Sequence, residues 1–223
     1  MALERIQIET GADPDAAIIW LHGLGADGAD FEPLVPELGL PTSARWRFVF
    51  PHAPIRPVTI NGGMKMRAWY DIDPRAPLAG DADIRASATG IAGLVAEQRS
   101  LGIASRRIVL AGFSQGGVIA LHLGLRHDEP LAGILALSTY LHDPEHLTDE
   151  LRLENAETPI FLAHGLADPM IPVTRAVTSR EVLAGLSYRV EWHEYAMGHA
   201  VCMAEIRDIS TWLTSVLPPR PET

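Results

Sequence analysis

Short apolar runs alternate along the chain with stretches in which apolar residues recur every three or four positions. The runs Ile6–Glu9, Ala17–Leu21, Arg47–Phe50, Arg107–Leu110, Gly133–Leu137, Pro159–Ala163 and Tyr188–Glu194 predict strands. Between them, helices are predicted over Ile84–Leu101, after Ser114, over Val173–Leu186 and over Met203–Val216. Asp81 and Asp83 precede the first, where acidic side chains favour a helix N-terminus, and Gly102 follows it, where a glycine can take the left-handed conformation that ends a helix. Strands alternating with helices predict an α/β fold, with a mostly parallel central sheet and helices on both faces. No repeat or linker divides the pattern, so residues 1–217 are expected to form a single domain and 218–223 a flexible tail.

The segment from Pro51 to Gly80 breaks the alternation. It is crowded with Pro51, Pro54, Pro57, Gly62, Gly63, Pro74 and Pro77, yet carries Met64, Met66, Trp69 and Tyr70. Loops of this length inside compact domains are usually functional or disordered. Its apolar side chains argue against disorder, and residues 51–80 are expected to cross the top of the sheet as a partial lid over a pocket.

Composition narrows the chemistry. With 223 residues, 47% of them hydrophobic, the chain can enclose one large core. Its formal net charge of -10 argues against nucleic acid or an anionic lipid surface as partner. One cysteine, Cys202, cannot form an intramolecular disulfide and suits a reducing compartment. Charges at Glu4, Arg5 and Glu9 interrupt any secretory apolar run, and the apolar stretch Leu131–Leu141 is too short for a membrane span. A cytoplasmic protein without a membrane span is the expectation.

The richest stretch is Ile108-Val-Leu-Ala-Gly-Phe-Ser114-Gln-Gly-Gly117, followed by Val118-Ile-Ala-Leu-His-Leu-Gly-Leu125. A buried strand, a Gly-x-Ser-x-Gly turn and a helix together make a nucleophile elbow, in which the sharp turn lifts the Ser114 hydroxyl above the sheet edge. A serine hydroxyl needs a base to take its proton, and the base needs a carboxylate to fix its tautomer. In this architecture the acid and then the histidine follow the serine, each after a strand. Among nine histidines, His199 fits, lying just past the last predicted strand in Tyr195-Ala-Met-Gly-His199. Asp168 lies in the loop after Pro159–Ala163, and His164 in the same region is read as structural. Backbone N–H groups of Gln115 and Leu24 are the candidate oxyanion donors, the latter on the loop His22-Gly-Leu-Gly25, which His22 is expected to brace.

Rival chemistries are weaker. Gly23-x-Gly25-x-x-Gly28 is nominally a dinucleotide-binding pattern, but the next strand ends Phe48-Val-Phe-Pro-His52 with no carboxylate to hold a ribose. His142 and His146 have metal-ligand spacing, yet Asp143-Pro144 reads as a helix start. Cys202 reads as an inward-packing helix-start residue rather than a nucleophile.

Taken in order, Leu21-His-Gly-Leu-Gly-Ala-Asp27, Phe50-Pro-His-Ala-Pro54, Met66-Arg-Ala-Trp-Tyr-Asp71, Gly112-Phe-Ser-Gln-Gly-Gly117, His164-Gly-x-x-Asp168-Pro and Gly198-His199 make the chain resemble the carboxylesterase and acyl-protein thioesterase family of α/β-hydrolases. The resemblance runs nearly end to end. It implies an α/β-hydrolase fold and a serine hydrolase that cleaves short- to medium-chain esters or thioesters through an acyl-enzyme, without cofactor or metal. It places the triad on Ser114, Asp168 and His199, the oxyanion donors on Leu24 and Gln115, and the acyl pocket against Phe113, Trp69, Tyr140 and Met170. It also makes a homodimer plausible. Tyr140 departs from the tryptophan common at this point in the eukaryotic thioesterase branch, which leans the resemblance toward bacterial carboxylesterases.

Overall fold

A computed structural model describes residues 3–76 and 78–219 of the 223-residue chain. In chain order the strands are β1 (Arg5–Glu9), β2 (Ala16–Leu21), β3 (Trp46–Pro51), β4 (Ile55–Val58), β5 (Met64–Arg67), β6 (Ile108–Phe113), β7 (Gly133–Leu137), β8 (Ile160–Gly165) and β9 (Val190–Tyr195). The helices are α1 (Leu34–Glu37), α2 (Asp81–Ser100), α3 (Gln115–Gly124), α4 (Val173–Gly185) and α5 (Met203–Val216). Seven strands form the central sheet in the order β1-β3-β2-β6-β7-β8-β9, all parallel except β1, which pairs antiparallel with β3.

Both faces of this sheet are covered, which explains why its central strands are apolar at successive positions. Ala17, Ile19 and Leu21 of β2 join one core with Ile84, Ile91, Val95 and Val118, from α2 and α3. Ala16, Ile18 and Trp20 join the other with Val35, Ile209, Trp212 and Leu213, from α1 and α5. The alternation of side chains across a strand thus feeds two cores from one run. The β6–α3 crossover needs close approach: a Cβ at Gly116 would fall 2.4 Å from the Leu21 carbonyl oxygen.

Register puts the site at one rim. Leu21 pairs with Gly112, Phe113 with Leu137, Leu137 with Ala163, and Gly165 with Tyr195, so the carboxyl ends of β2, β6, β8 and β9 open onto the same edge.

Within residues 51–80, the segment expected as a loop holds a hairpin. β4 and β5 pair antiparallel with each other alone, Ile55 opposite Arg67 and Val58 opposite Met64. Charges at Arg56, Lys65 and Arg67 keep these four-residue strands from forming continuous apolar runs, and Pro57 is tolerated because the strand has only one partner. The turn is pinned to the chain beyond it, since the Asp71 carboxylate accepts from the Thr59 N–H at 2.7 Å and from its hydroxyl at 2.6 Å. Of the expected tail, Pro218 accepts a 2.8 Å hydrogen bond from Arg107, and residues 220–223 lie outside the described residues.

Candidate active site

Ser114 stands between β6 and α3 at φ 54° and ψ -119°, a left-handed φ that few non-glycine residues adopt. Its backbone is held on both sides. The Ser114 N–H donates to Leu137 at 2.8 Å, and the Thr139 hydroxyl donates to the Ser114 carbonyl at 2.7 Å.

The side chain meets His199, which lies four residues beyond β9. His199 Nε2 is 2.9 Å from Ser114 Oγ, and His199 Nδ1 is 2.7 Å from Asp168 Oδ2. The carboxylate fixes the tautomer: Nδ1–H donates to Asp168, leaving the Nε2 lone pair to accept the serine proton. Asp168 Oδ1 accepts from the N–H groups of Met170 and Ile171 at 2.8 and 2.9 Å. Burial works to raise the Asp168 carboxyl, but the Ile171 N–H, His199 and the Met170 N–H together hold it below the ordinary carboxylate range. It is therefore an anion facing His199 Nδ1.

The two loops that bring acid and base together are locked to each other. Leu166 N–H donates to Tyr195 and Ala167 N–H to Met197, at 2.8 and 3.0 Å. A Cβ at Gly165 would sit 2.3 Å from the Gly198 carbonyl oxygen, so this approach requires glycine. His164 is fully buried beneath them, its Nε2–H donating to Ile171 at 2.8 Å and lying 3.4 Å from Asp168 Oδ2.

Gly23 and Leu24 form the facing wall. His22 Nδ1–H donates to Gly23 O at 2.7 Å and its Nε2 accepts from the Ala53 N–H at 3.0 Å. Burial lowers the His22 pKa to about 4, which keeps the ring neutral and able to play both parts. A Cβ on Gly23 would lie 3.3 Å from the Phe113 ring and 3.5 Å from Ser114 Cβ, so the loop rests directly on the elbow. Gln115 opens α3, where the first N–H groups lack an intrahelical acceptor. Among the described residues, nothing accepts from the N–H of Gln115 or of Leu24.

These groups share a cavity of about 850 Å³, lined among others by Leu24, Phe113, Ser114, Gln115, Tyr140, Met170 and His199. Residues Ile60, Asn61, Met66 and Tyr70 through Pro74 also line it, so the segment 51–80 forms one of its walls. Trp69, expected at the acyl pocket, is not among the lining residues. It is fully buried, its Nε1–H donating to His22 O at 2.9 Å, and its neighbour Tyr70 faces the cavity instead. The Gln115 side chain clamps this stretch, accepting from Trp69 N–H at 2.8 Å and donating to Tyr70 O at 2.6 Å. Sequence reasoning missed that role, as it missed Thr139 and Arg175, and it named Tyr70 only as an apolar residue of the lid segment; only the Gly in His164-Gly165 carried any signal of the loop contact.

A second cavity, about 750 Å³, opens at the other end of the sheet and is lined by Ile160, Arg189, Glu191, Trp212 and Ser215. It is remote from the elbow. Cys202 is half-buried and packs against the core under α5. No group of three or more His, Cys, Asp or Glu among the described residues could hold a metal ion, and none of their helices is long and apolar enough to cross a membrane.

A family model described as Phospholipase/Carboxylesterase matches residues 3–217. The chain is 35% identical to acyl-protein thioesterase 1 of Gibberella zeae over 92% of each chain, and 37% identical to acyl-protein thioesterase 1 of Neurospora crassa over 91% of this chain and 87% of that one. Among solved structures it is similar to Zea mays acyl-protein thioesterase 2, with TM-score 0.85 and 26% identity over 96% of this chain and 99% of that one. It is similar also to Arabidopsis thaliana SOBER1, with TM-score 0.84 and 26% identity over 91% and 99%.

Proposed function

The chain belongs to the phospholipase/carboxylesterase family of α/β-hydrolases, and on that premise we propose that it hydrolyses short- to medium-chain carboxylic esters and thioesters through an acyl-enzyme on Ser114. The observation that carries the reading is the unbroken line Asp168–His199–Ser114, with links of 2.7 and 2.9 Å at the wall of an open cavity.

In the first half-reaction Ser114 Oγ attacks the carbonyl carbon while His199 Nε2 takes the hydroxyl proton. Negative charge moves to the carbonyl oxygen, where the N–H groups of Leu24 and Gln115 receive it; donors of this kind are each worth roughly a hundred- to thousandfold in rate. The tetrahedral adduct collapses, the C–O or C–S bond breaks, and His199 returns its proton to the departing alcohol or thiol. Water then enters, gives its proton to His199, and releases the acid as Ser114 regains its hydrogen. Asp168 holds the ring in place and stabilises its cation in each adduct. No step requires a cofactor. Phe113, Tyr140 and Met170, with Tyr70 in place of Trp69, border the acyl group.

Ser114→Ala is expected to abolish both hydrolysis of 4-nitrophenyl butyrate and labelling by a fluorophosphonate, with an unchanged circular dichroism spectrum. Full labelling of the alanine variant would overturn the assignment. Two further parts of the reading rest on resemblance and composition: assembly as a homodimer, and a cytoplasmic location suited to the free thiol of Cys202.

A further inference from the structure

One wall of the catalytic cavity is built from donors with capacity to spare. Tyr70, Tyr140 and Arg175 all line it. The two phenol oxygens are 3.2 Å apart, so one O–H donates to the other and a single O–H is left over. Tyr70 is only 4% exposed, and its phenol is held well above its ordinary pKa by burial and then by Tyr140, so its ring remains a protonated donor. The Arg175 guanidinium lies 3.3 Å from the centre of the Tyr140 ring, stacked on its face. It makes no ion pair with any carboxylate among the described residues.

The acids of the same cavity are engaged elsewhere or lie across it. Both Asp71 oxygens accept from Thr59. Both Asp73 oxygens accept from Arg75. Asp30 belongs to the turn leading into Phe31, which packs in the core on the α5 side, whereas Tyr70 and Tyr140 pack against the α2–α3 side. His142, which also lines the cavity, is kept below its ordinary pKa chiefly by burial and adds no positive charge at neutral pH.

A flat guanidinium with a leftover hydroxyl beside it matches the geometry of an oxyanion with two or three acceptor oxygens. We propose that this corner is an anion subsite, and that the enzyme selects esters carrying a carboxylate or phosphate on the acyl or alcohol portion, held by Arg175 and the Tyr70–Tyr140 hydroxyl pair. The inference rests on the esterase reading and deepens it. An uncharged chain extending into the same corner would strip water from the cation and the spare hydroxyl without replacing it, which favours the charged substrate.

The test compares kcat/KM for two matched pairs: mono-4-nitrophenyl adipate against 4-nitrophenyl hexanoate, and 1-butyrylglycerol 3-phosphate against monobutyrylglycerol. The first pair carries the anion as an acyl-end carboxylate, the second as an alcohol-side phosphate. Wild type is expected to prefer the anionic member of at least one pair. Arg175→Met is expected to lower that anionic-to-neutral ratio about tenfold or more, mainly through KM, and Arg175→Lys to restore part of it. Tyr140→Phe is expected to lower the same ratio by a smaller factor. Ratios that stay within about twofold across Arg175→Met in both pairs would overturn the subsite while leaving the esterase reading standing. Absence of hydrolysis of every ester by wild type would overturn the esterase reading, and the subsite with it.

Discussion

Ser114 occupies a backbone conformation that costs about 1–3 kcal/mol for a residue with a side chain, and the flanking bonds to Leu137 and Thr139 offset it. The same economy of bonding makes Asp168 hard to replace. Its Oδ1 must stay an oxygen because two backbone N–H groups point at it. In Asp168→Asn the amide nitrogen is therefore forced into the place of Oδ2, facing His199 Nδ1 and donating to it. The ring proton then moves to Nε2, where it points at Ser114 and cannot accept. The expected result is a fall in kcat of about four orders of magnitude with little change in thermal stability; a loss below about tenfold would show that the tautomer argument is wrong. The chain order of serine, acid and histidine after successive apolar runs is what let the sequence single out three side chains that the fold brings into hydrogen-bond contact. Which of Trp69 and Tyr70 faces the cavity was not readable. They lie outside any regular strand, so no alternation sets their orientation, and a hydrogen bond from an indole to a loop carbonyl decides it.

At the level of elements, the first turn of α5 carries Glu205, fully buried, with neither carboxyl oxygen completing a hydrogen bond. Burial is the chief reason its pKa rises to about 8; the Cys202 N–H pulls the other way, and Asp208 adds to the rise. In the folded protein Glu205 thus keeps its proton well above the ordinary 4.5. The sign follows: its contribution is fully present below about pH 4.5, diminishes as the unfolded chain ionises, and is lost once pH passes about 8. A shift of this size corresponds to roughly 5 kcal/mol. Urea unfolding across this range should show Glu205→Gln losing much of the alkaline decline and exceeding wild type above about pH 8; parallel curves would refute the buried acid. Helix α5 itself was legible to the residue, and β7 likewise, because each combines a clear period with clean ends. The β4–β5 hairpin was not, because Met64-Lys-Met-Arg67 alternates over only four residues, Pro57 interrupts the facing strand, and neither strand has a second neighbour to demand a longer run.

On the scale of the molecule, the structure divides into a sheet buried on both faces and a hairpin wall that pairs only with itself. Ile55 and Met64, near its two ends of pairing, are 66% and 64% exposed. Isolated two-stranded ribbons are marginal in water, so local opening of the hairpin should cost far less than opening the sheet. Hydrogen exchange is expected to be roughly a hundredfold or more faster for the amides pairing β4 with β5 than for those of β2, β6 and β7; equal protection would mean that the wall and the sheet unfold as one unit. The proposed catalytic residues, in contrast, follow β6, β8 and β9, with β7 threaded between the first two. A slip of β8 by one residue against β7 would carry the acid about 3.3 Å along the strand and leave imidazole and hydroxyl without their support. Turnover therefore counts only molecules whose strands have zipped to their final alignment, and activity regained during refolding will time the docking of the last edge rather than the first collapse.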